Sequence, residues 1–380
     1  MLPLFDQDHV ELQTRVRLWA QANLGIGTDH QDLERRARSL VRDLGAAGFL
    51  QHTVGQQFGG VRAQVAARDL CILREELAHG DALADTMFAL QALGSYPITL
   101  AGNDEQKSRY LPKVASGAQI AAFALTEPEA GSDVASLQTV AARRDAEFVL
   151  NGVKRFISNA GVADYYVVFA ATEPEKKAKG VSAFIVDANT PGLIVKEKTN
   201  LLSPHPIGVL EFADCTVPSG ALLGALGDGL KIGLETLDLL RCSVGAAALG
   251  FAQRALEEAL RYSQSRRQFG RAIGEFQGIQ FKLAEMATEL EAARLLVYQA
   301  AWAHDCGAEA AKAKSSMAKF YATEAAQKIV DQALQIHGGS GLIAGSIMER
   351  LYRDVRALRI YEGTSEIQKL IIARELLKKA

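Results

Sequence analysis

The sequence predicts an α+β protein in which a block of strands separates two helical regions. Three observations lead to this prediction. Apolar residues recur at helical spacing over about 8–118, short strand-like runs fill about 119–225, and long helical patterns continue from about 229 to the end. With 380 residues, the chain is long enough for two or three domains. We therefore expect an N-terminal helical domain over 1–118, a middle β domain over 119–225 and a C-terminal helical domain over 226–380.

The N-terminal region carries the signals of packed helices. Leu70, Leu73 and Leu77 follow one another at spacings of three and four residues, which places them on one face of a helix. Asn103 and Gln106 have the spacing of a capping box, in which each side chain bonds the backbone of the other residue. This pair predicts the start of another helix.

The middle region reads as strands. Residues 165–169, 181–186, 193–198 and 209–212 are short runs rich in β-branched and aromatic side chains. The pair Asn151-Gly152 between two apolar runs predicts a hairpin turn, because both turn positions need a positive φ. Strands without intervening helices favour an antiparallel barrel or sandwich over a parallel nucleotide-binding sheet.

The C-terminal region predicts a helical bundle. Helical patterns cover about 230–265, 277–305, 308–336 and 364–379, and these lengths suit a bundle with short connections. Gly339-Ser340-Gly341 resembles part of a dinucleotide-binding fingerprint. No strand precedes it, and Gly345 comes one residue too late for the third glycine, so a turn between helices is favoured.

Composition excludes several classes of protein. The 42 basic and 44 acidic residues give a net charge of −2, which lacks the positive field of a nucleic-acid binder. Four scattered cysteines without a C-x-x-C pair, and no visible secretory signal, favour a reduced cytoplasmic setting. No apolar run suits a membrane helix, and no histidine or cysteine pattern completes a metal site. We therefore expect a cytoplasmic protein without membrane insertion and without a metal.

Two segments combine residues suited to chemistry. Residues 123–133 place hydroxyls, a proline and a glycine in a short loop, which is either an ordinary polar turn or a backbone that approaches a flat ligand. In residues 360–368, Ser365 and Gln368 have the spacing of a capping box for the last helix. Glu362 precedes Gly363 in the turn before that helix, where burial would raise the pKa of its carboxyl toward that of a useful base.

Over essentially its whole length, the chain resembles the acyl-CoA dehydrogenases. The resemblance rests on five motifs in order, at 124–133, 155–159, 266–277, 335–341 and 361–368. It implies an N-terminal helical domain, a middle antiparallel β-barrel and a C-terminal four-helix bundle, usually in a homotetramer. It also implies FAD between the β domain and the bundle, with part of the binding site supplied by a neighbouring subunit.

Motif matching implies two sets of contacts. The expected FAD contacts are Phe123, Leu125, Thr126, Ser132, Phe156, Ile157, Ser158, Arg266, Gln268, Phe269, Gln277, Gln335, Gly338, Gly339, Thr364 and Glu366. The expected contacts with the acyl-CoA substrate are Ser132, Asp238, Arg241, Tyr361 and Gly363.

The reaction implied by the resemblance is α,β-dehydrogenation of an acyl-CoA thioester to the trans-2-enoyl-CoA. Glu362 would take the α-proton while the β-hydrogen leaves as hydride to the flavin. The Glu362 N–H and a ribityl hydroxyl would stabilise the developing enolate. Some relatives carry the base at the position of Arg241, which cannot act as one, so Glu362 is the consistent choice. An electron-transferring flavoprotein would then accept the electrons.

Some residues depart from the family pattern and leave the substrate open. Phe156 stands where many relatives have tryptophan or tyrosine, and residues 203–208 replace a stretch with arginine, glycine and serine. The resemblance places Phe88 and Leu93 on the helical segment that closes the acyl pocket in relatives, which favours a short, branched or cyclic acyl group over a long linear one, with ordinary core packing as the alternative. A flavin oxidase that uses oxygen and a non-catalytic scaffold are the rival functions.

Overall fold

A computed structural model describes residues 4–25 and 32–378 of the chain. These residues form two compact units. The first combines the N-terminal helix, the segment Ala66–Asp85 and the chain from Asp238 onward; the second contains 32–65 and Thr86–Leu237.

The helices of the described residues follow the predicted order. They are α1 (Gln7–Asn23), α2 (Leu33–Ala46), α3 (Ala67–Gly80), α4 (Ala82–Ala101), α5 (Asp104–Ala115), α6 (Gly229–Ser265), α7 (Gln277–Asp305), α8 (Ala311–His337), α9 (Ile347–Ala357) and α10 (Ser365–Leu377). None of these helices combines the length and apolar character needed to cross a membrane.

The strands lie between α5 and α6, apart from a small hairpin after α6. They are β1 (Ala121–Ala124), β2 (Val140–Arg144), β3 (Glu147–Ser158), β4 (Tyr165–Ala171), β5 (Val181–Asp187), β6 (Leu193–Lys198), β7 (Ile207–Pro218), β8 (Leu222–Leu223), β9 (Arg267–Gln268) and β10 (Arg271–Ala272).

Two predictions for the N-terminal helices are confirmed. Leu70, Leu73 and Leu77 lie on α3 and are buried. The Asn103 side chain accepts a hydrogen bond of 2.8 Å from the Gln106 N–H, and the Gln106 side chain accepts one of 3.0 Å from the Asn103 N–H. The predicted capping box therefore begins α5.

The main sheet differs from the expected closed antiparallel barrel. Its strand order is β6-β7-β3-β2-β4-β5-β8, with β1 beside β4, and β4 pairs in parallel with both β1 and β2. Among the described residues the sheet is open: β6 is mostly exposed to solvent and β8 has only two residues. Such edge strands offer little backbone or apolar surface for closure. The middle β domain is confirmed, whereas barrel closure is not seen.

The predicted hairpin at Asn151-Gly152 is wrong. Strand β3 runs straight through this pair, and the turn between β2 and β3 is Asp145-Ala146, with φ +50° at Asp145. Asn151 instead exchanges hydrogen bonds of 2.8 and 3.1 Å with Asp214, at a register irregularity between β3 and β7. The Asn-Gly pair therefore marks a β-bulge rather than a turn.

The C-terminal helices match the prediction, with one addition. Helices α6, α7, α8 and α10 lie where the helical patterns predict them, and α8 packs against α7, α9 and α10; Lys379, at the end of the last predicted helix, lies outside the described residues. A short 3₁₀ turn over Gly338–Leu342 joins α8 to α9, as the turn prediction requires. Helix α9 was not predicted, although the Ser346 cap and buried Met348, Leu351 and Val355 carry its signal.

Candidate active site

Glu362 stands in the turn between α9 and α10 in an unusual backbone conformation. Glu362 has φ +53° and Gly363 has φ +89°, so two consecutive residues are left-handed. Non-glycine residues rarely adopt this conformation, and they concentrate at functional sites. Although the residue is partly exposed, Glu362 Oε2 is inaccessible to solvent and has no hydrogen-bond partner among the described residues.

Side chains from two helices hold this turn in place. Lys319 Nζ of α8 donates a hydrogen bond of 2.6 Å to the Gly363 carbonyl oxygen. Gln368 Nε2 of α10 donates to the same oxygen at 2.9 Å and to the Glu362 carbonyl oxygen at 3.3 Å. A side chain on Gly363 would place its Cβ 2.7 Å from Gln368 Nε2, which is too close.

The predicted capping box of the last helix is wrong by one residue. Thr364, not Ser365, caps α10, and its hydroxyl accepts a hydrogen bond from the Ile367 N–H. Ser365 Oγ donates to Glu324 at 2.6 Å instead. Gln368 Nε2 donates instead to the carbonyl oxygens of Glu362 and Gly363. The spacing of the residues in sequence does not reveal these alternative acceptors.

Three buried cations act on the Glu362 carboxylate. Burial raises the pKa of Glu362 above its usual range, while Arg74, Lys319 and Arg241 oppose the rise. Since burial dominates, the carboxyl is able to exchange a proton closer to neutral pH than an exposed glutamate.

Two of these cations have carboxylate partners of their own. Arg74 of α3 donates to both Asp85 oxygens at 2.8 and 3.0 Å and to Ser243 Oγ at 3.1 Å. Arg241 of α6 pairs with Asp238, but its Nε is buried without a hydrogen-bond partner among the described residues. Two buried atoms of complementary character, Arg241 Nε and Glu362 Oε2, are thus left unsatisfied in this cluster.

Lys319 differs from the two arginines. Burial lowers the pKa of Lys319 to about 8, and Glu362 is the strongest influence in the opposite direction. Sequence reasoning did not single out Arg74 or Lys319, because each contacts residues distant along the chain. The remaining predicted residue here, Tyr361, is partly exposed next to Glu362, and burial of its hydroxyl raises its pKa.

In the second unit, a buried ion pair fixes the first motif loop. Lys154 Nζ of β3 donates to Glu127 Oε1 at 2.7 Å and to the Leu125 carbonyl oxygen at 3.1 Å. Glu127 also accepts from the Gln138 and Thr139 N–H groups, and the Thr126 carbonyl accepts from the Arg155 N–H at 2.9 Å. Sequence reasoning missed Lys154; a lysine among the apolar residues of a strand was the available signal.

The second motif lies at the end of β3. Phe156 has φ +56° and is 47% exposed, whereas Ile157 is buried. Ser158 Oγ lies 3.0 Å from His205 Nε2, and burial lowers the pKa of His205. His205 Nδ1 lies 3.3 Å from the Ser203 carbonyl oxygen, so the neutral ring donates a hydrogen bond there and Nε2 accepts one from the Ser158 hydroxyl. The segment that departs from the family pattern therefore contacts a predicted site residue.

The other predicted residues of the second unit lie in the first motif loop or next to it. Phe123 packs against Phe169 with ring centroids 4.7 Å apart, Leu125 is buried, and Ser132 is exposed in the loop.

In the first unit, the remaining predicted residues lie on a hairpin and at the ends of three helices. Arg266, Gln268 and Phe269 lie on the exposed β9–β10 hairpin, where Phe269 has φ +50° and is 94% exposed. Gln277 begins α7, Gln335 lies in the last turn of α8, Gly338 and Gly339 follow it, and Thr364 and Glu366 begin α10. Tyr262, just before the hairpin, stacks on His337 at 4.4 Å, so the hairpin base adjoins the end of α8.

Comparison with known proteins gives consistent matches across the chain. Family models described as the N-terminal, middle and C-terminal domains of acyl-CoA dehydrogenase match residues 6–118, 122–215 and 227–377. The chain is 42% identical over 375 residues to an acyl-CoA dehydrogenase of Bacillus subtilis (strain 168), covering 98% of each chain. It is 39% identical over 379 residues to a 3-(aryl)acrylate reductase of Clostridium sporogenes (strain ATCC 15579), covering 98% of this chain and all of the relative. The solved structure of butyryl-CoA dehydrogenase from Megasphaera elsdenii superposes with a TM-score of 0.91 at 33% identity, covering 98% of this chain and 99% of the other.

Proposed function

This chain belongs to the acyl-CoA dehydrogenase family, and we propose that Glu362 is the base with which it removes the α-proton of an acyl-CoA thioester. The product is the trans-2-enoyl-CoA. The observation that carries the proposal is the Glu362 carboxylate itself: its Oε2 is buried with no hydrogen-bond partner among the residues that the structure describes, and burial raises its pKa. A general base needs a free lone pair and a pKa near the working pH.

The neighbouring carboxylates are less suited to this role. Asp85 is held by both nitrogens of a bidentate contact with Arg74, and Asp238 by Arg241. Arginine keeps its proton at any physiological pH, so Arg241 cannot be the base. Glu362 is therefore the carboxylate of this cluster that is available to take a proton.

The residues present also fit FAD, the cofactor of this family. Arg266 is exposed on its hairpin, and a Cβ added at Gly338 or Gly339 would meet no atom within 4 Å, so the backbone there is open to a ligand. A guanidinium and exposed backbone suit a pyrophosphate, and exposed Phe156 and Phe269 suit flat rings. Bound FAD would supply the acceptor for the hydride that leaves the substrate β-carbon. We assign its binding to Phe123, Leu125, Thr126, Ser132, Phe156, Ile157, Ser158, Arg266, Gln268, Phe269, Gln277, Gln335, Gly338, Gly339, Thr364 and Glu366.

The protein must also orient the thioester and stabilise the charge that develops on its carbonyl. The unsatisfied Arg241 Nε is a buried donor in the same cluster as Glu362, and the Glu362 N–H is fixed by the left-handed turn. Donors held in place before reaction stabilise developing negative charge without reorganising. Ser132, Asp238, Arg241, Tyr361 and Gly363 are the proposed substrate contacts.

A second candidate is the same chemistry in the reverse direction. The relative from Clostridium sporogenes is a reductase, and the raised pKa of Glu362 lets its carboxyl hold a proton that it can donate to an α-carbon. The residues and their contacts are the same for both directions. The two candidates therefore differ only in which substrate drives turnover.

Several broader features are part of the proposal. The ends of the matched family models lie close to the proposed domain boundaries of 1–118, 119–225 and 226–380. All four cysteines are free, which supports a reducing, cytoplasmic location. A homotetramer and electron transfer to an electron-transferring flavoprotein accord with the family resemblance.

The proposal is tested by the absorbance of the purified protein. We expect a bound flavin that is bleached anaerobically by a saturated acyl-CoA, using a panel of straight-chain, branched, cyclic and aryl-propionyl thioesters. Chemically reduced protein that is reoxidised by enoyl-CoAs, with no bleaching by the saturated compounds, would favour the reductase. A protein that binds no flavin, or whose flavin responds to neither class, would contradict both candidates.

A further inference from the structure

Lys319 is a buried charge that the proposed reaction does not use directly. Its side chain is fully buried in α8, and its ammonium lies 2.6 Å from the Gly363 carbonyl oxygen. Removing an ammonium group from water is unfavourable unless nearby groups compensate its charge. The groups that compensate the charge of Lys319 therefore indicate its role.

The main counter-charge of Lys319 is Glu362. Glu362 leads the groups that favour the charged form of Lys319, Glu324 and Glu366 contribute less, and Arg241 opposes. Glu324 is already held by Arg359 at 2.6 and 2.8 Å. Arg74 and Arg241 have Asp85 and Asp238, so the ammonium and the Glu362 carboxylate are the charges left to balance one another.

Lys319 also acts mechanically on the backbone of Glu362. The Gly363 carbonyl receives two donors, Lys319 from α8 and Gln368 from α10. These bonds fix the orientation of the peptide that joins Gly363 to Thr364, one residue beyond Glu362. The left-handed φ of Glu362 is unfavourable for a residue with a side chain, and it persists only where surrounding contacts enforce it.

We propose that Lys319 is a positioning residue for the Glu362 base, which it serves by fixing the left-handed turn through the Gly363 carbonyl and by balancing the charge of the ionised carboxylate. This proposal rests on the proposed function of Glu362. It assigns Lys319 no contact with the substrate.

The test is the pH profile of anaerobic flavin reduction in Lys319→Met. Loss of an opposite charge next to a carboxylate raises its pKa by about 1–3 pH units. The rising limb of the rate profile should therefore move to higher pH by that amount. At pH values below the limb, each pH unit of displacement should lower the rate about tenfold. A variant that keeps FAD, the wild-type limb and the wild-type rate would overturn the proposal.

Two further variants separate charge from geometry. Gln368→Met removes a neutral donor from the same carbonyl, so it should slow reduction without moving the limb; an equal displacement of the limb would show that charge is not the cause. Lys328→Met, an exposed lysine of α8 paired with Glu289, should match the wild type in both respects.

Two further variants separate a failure of the inference about Lys319 from a failure of folding and from a failure of the proposed function. If Lys319→Met does not retain flavin, Lys319→Arg carries the test, because it keeps the charge and should keep the limb at the wild-type pH; a displaced limb there would overturn the proposal. If Glu362→Gln reduces its flavin as fast as wild type, the proposed function itself fails. An active wild type with an unchanged Lys319→Met profile contradicts only the inference about Lys319.

Discussion

At the scale of single residues, environment separates Glu362 from the other acidic side chains of its cluster. Asp85 and Asp238 are each in direct contact with an arginine side chain. Three cations lower the pKa of Glu362, but burial outweighs their effect and the pKa is raised. Similar side chains thus have different electrostatic environments because their solvation and partners differ.

The pH dependence of the reaction follows from this shift. The base must be ionised to accept a proton, so flavin reduction by an acyl-CoA should be lost as pH falls through the pKa of Glu362. Because that pKa is raised, the loss should begin above the ordinary glutamate value of 4.5. Stopped-flow rates over a pH series measure it, and a rate that stays constant down to pH 4.5 would contradict the assignment.

At the scale of secondary structure, single buried side chains hold the motif loops to their neighbours. Lys154 of β3 joins the Leu125–Glu127 loop to the sheet, and Lys319 of α8 joins the Glu362–Gly363 turn to the bundle. In both cases an ammonium donates to a backbone carbonyl of the loop and is balanced by a carboxylate in or beside it.

Removal of one partner of the buried Lys154–Glu127 pair should destabilise the protein. Glu127→Gln leaves the Lys154 ammonium buried without its counter-charge, which should lower the free energy of unfolding by about 3–5 kcal/mol. Adding Lys154→Met should restore part of that loss, because the unpaired charge is then removed. Denaturant unfolding provides the measurement.

An exposed pair of the same unit is the control for this prediction. Glu173→Gln breaks the contact with the exposed Lys176 and should leave the free energy of unfolding nearly unchanged. Equal effects of Glu127→Gln and Glu173→Gln would show that the buried pair has no special role.

The sequence predicted the elements better than the contacts between them. The order of helices, strands and helices, the Asn103 cap and the turn after α8 all follow from local spacing, and the structure confirms them. The prediction of a turn at Asn151-Gly152 was wrong because Asp214 of the neighbouring strand β7 bonds Asn151 and the pair forms part of a β-bulge. Lys319 was missed because its partner Gly363 lies 44 residues away in sequence, where no local pattern connects them.

At the scale of the whole molecule, the proposed FAD contacts are divided between the two compact units. Phe123 to Ser158 belong to the second unit, whereas Arg266 to Glu366 belong to the first. The family resemblance implies that some of these contacts are made across subunits. Cofactor retention should therefore depend on assembly.

Arg266→Ala tests this dependence. Loss of a charge-assisted hydrogen bond to a phosphate should weaken FAD binding by about 1.5–3 kcal/mol, so less flavin should remain after gel filtration. Arg143→Ala, which changes an exposed arginine of β2, should keep the wild-type flavin content. A wild-type monomer that carries a full complement of FAD would contradict the cross-subunit contacts.

The most direct test of the account is anaerobic stopped-flow reduction of the flavin in Glu362→Gln by a substrate that bleaches the wild type. Glutamine keeps the shape of the side chain but removes the basic lone pair, and a positioned base contributes about 10²–10⁴-fold in rate. We therefore predict that the variant holds FAD and reduces it at least about 10²-fold more slowly, while Glu309→Gln, at an exposed glutamate, reacts like the wild type. A Glu362→Gln protein that holds FAD and bleaches at the wild-type rate would contradict the assignment of Glu362 as the base.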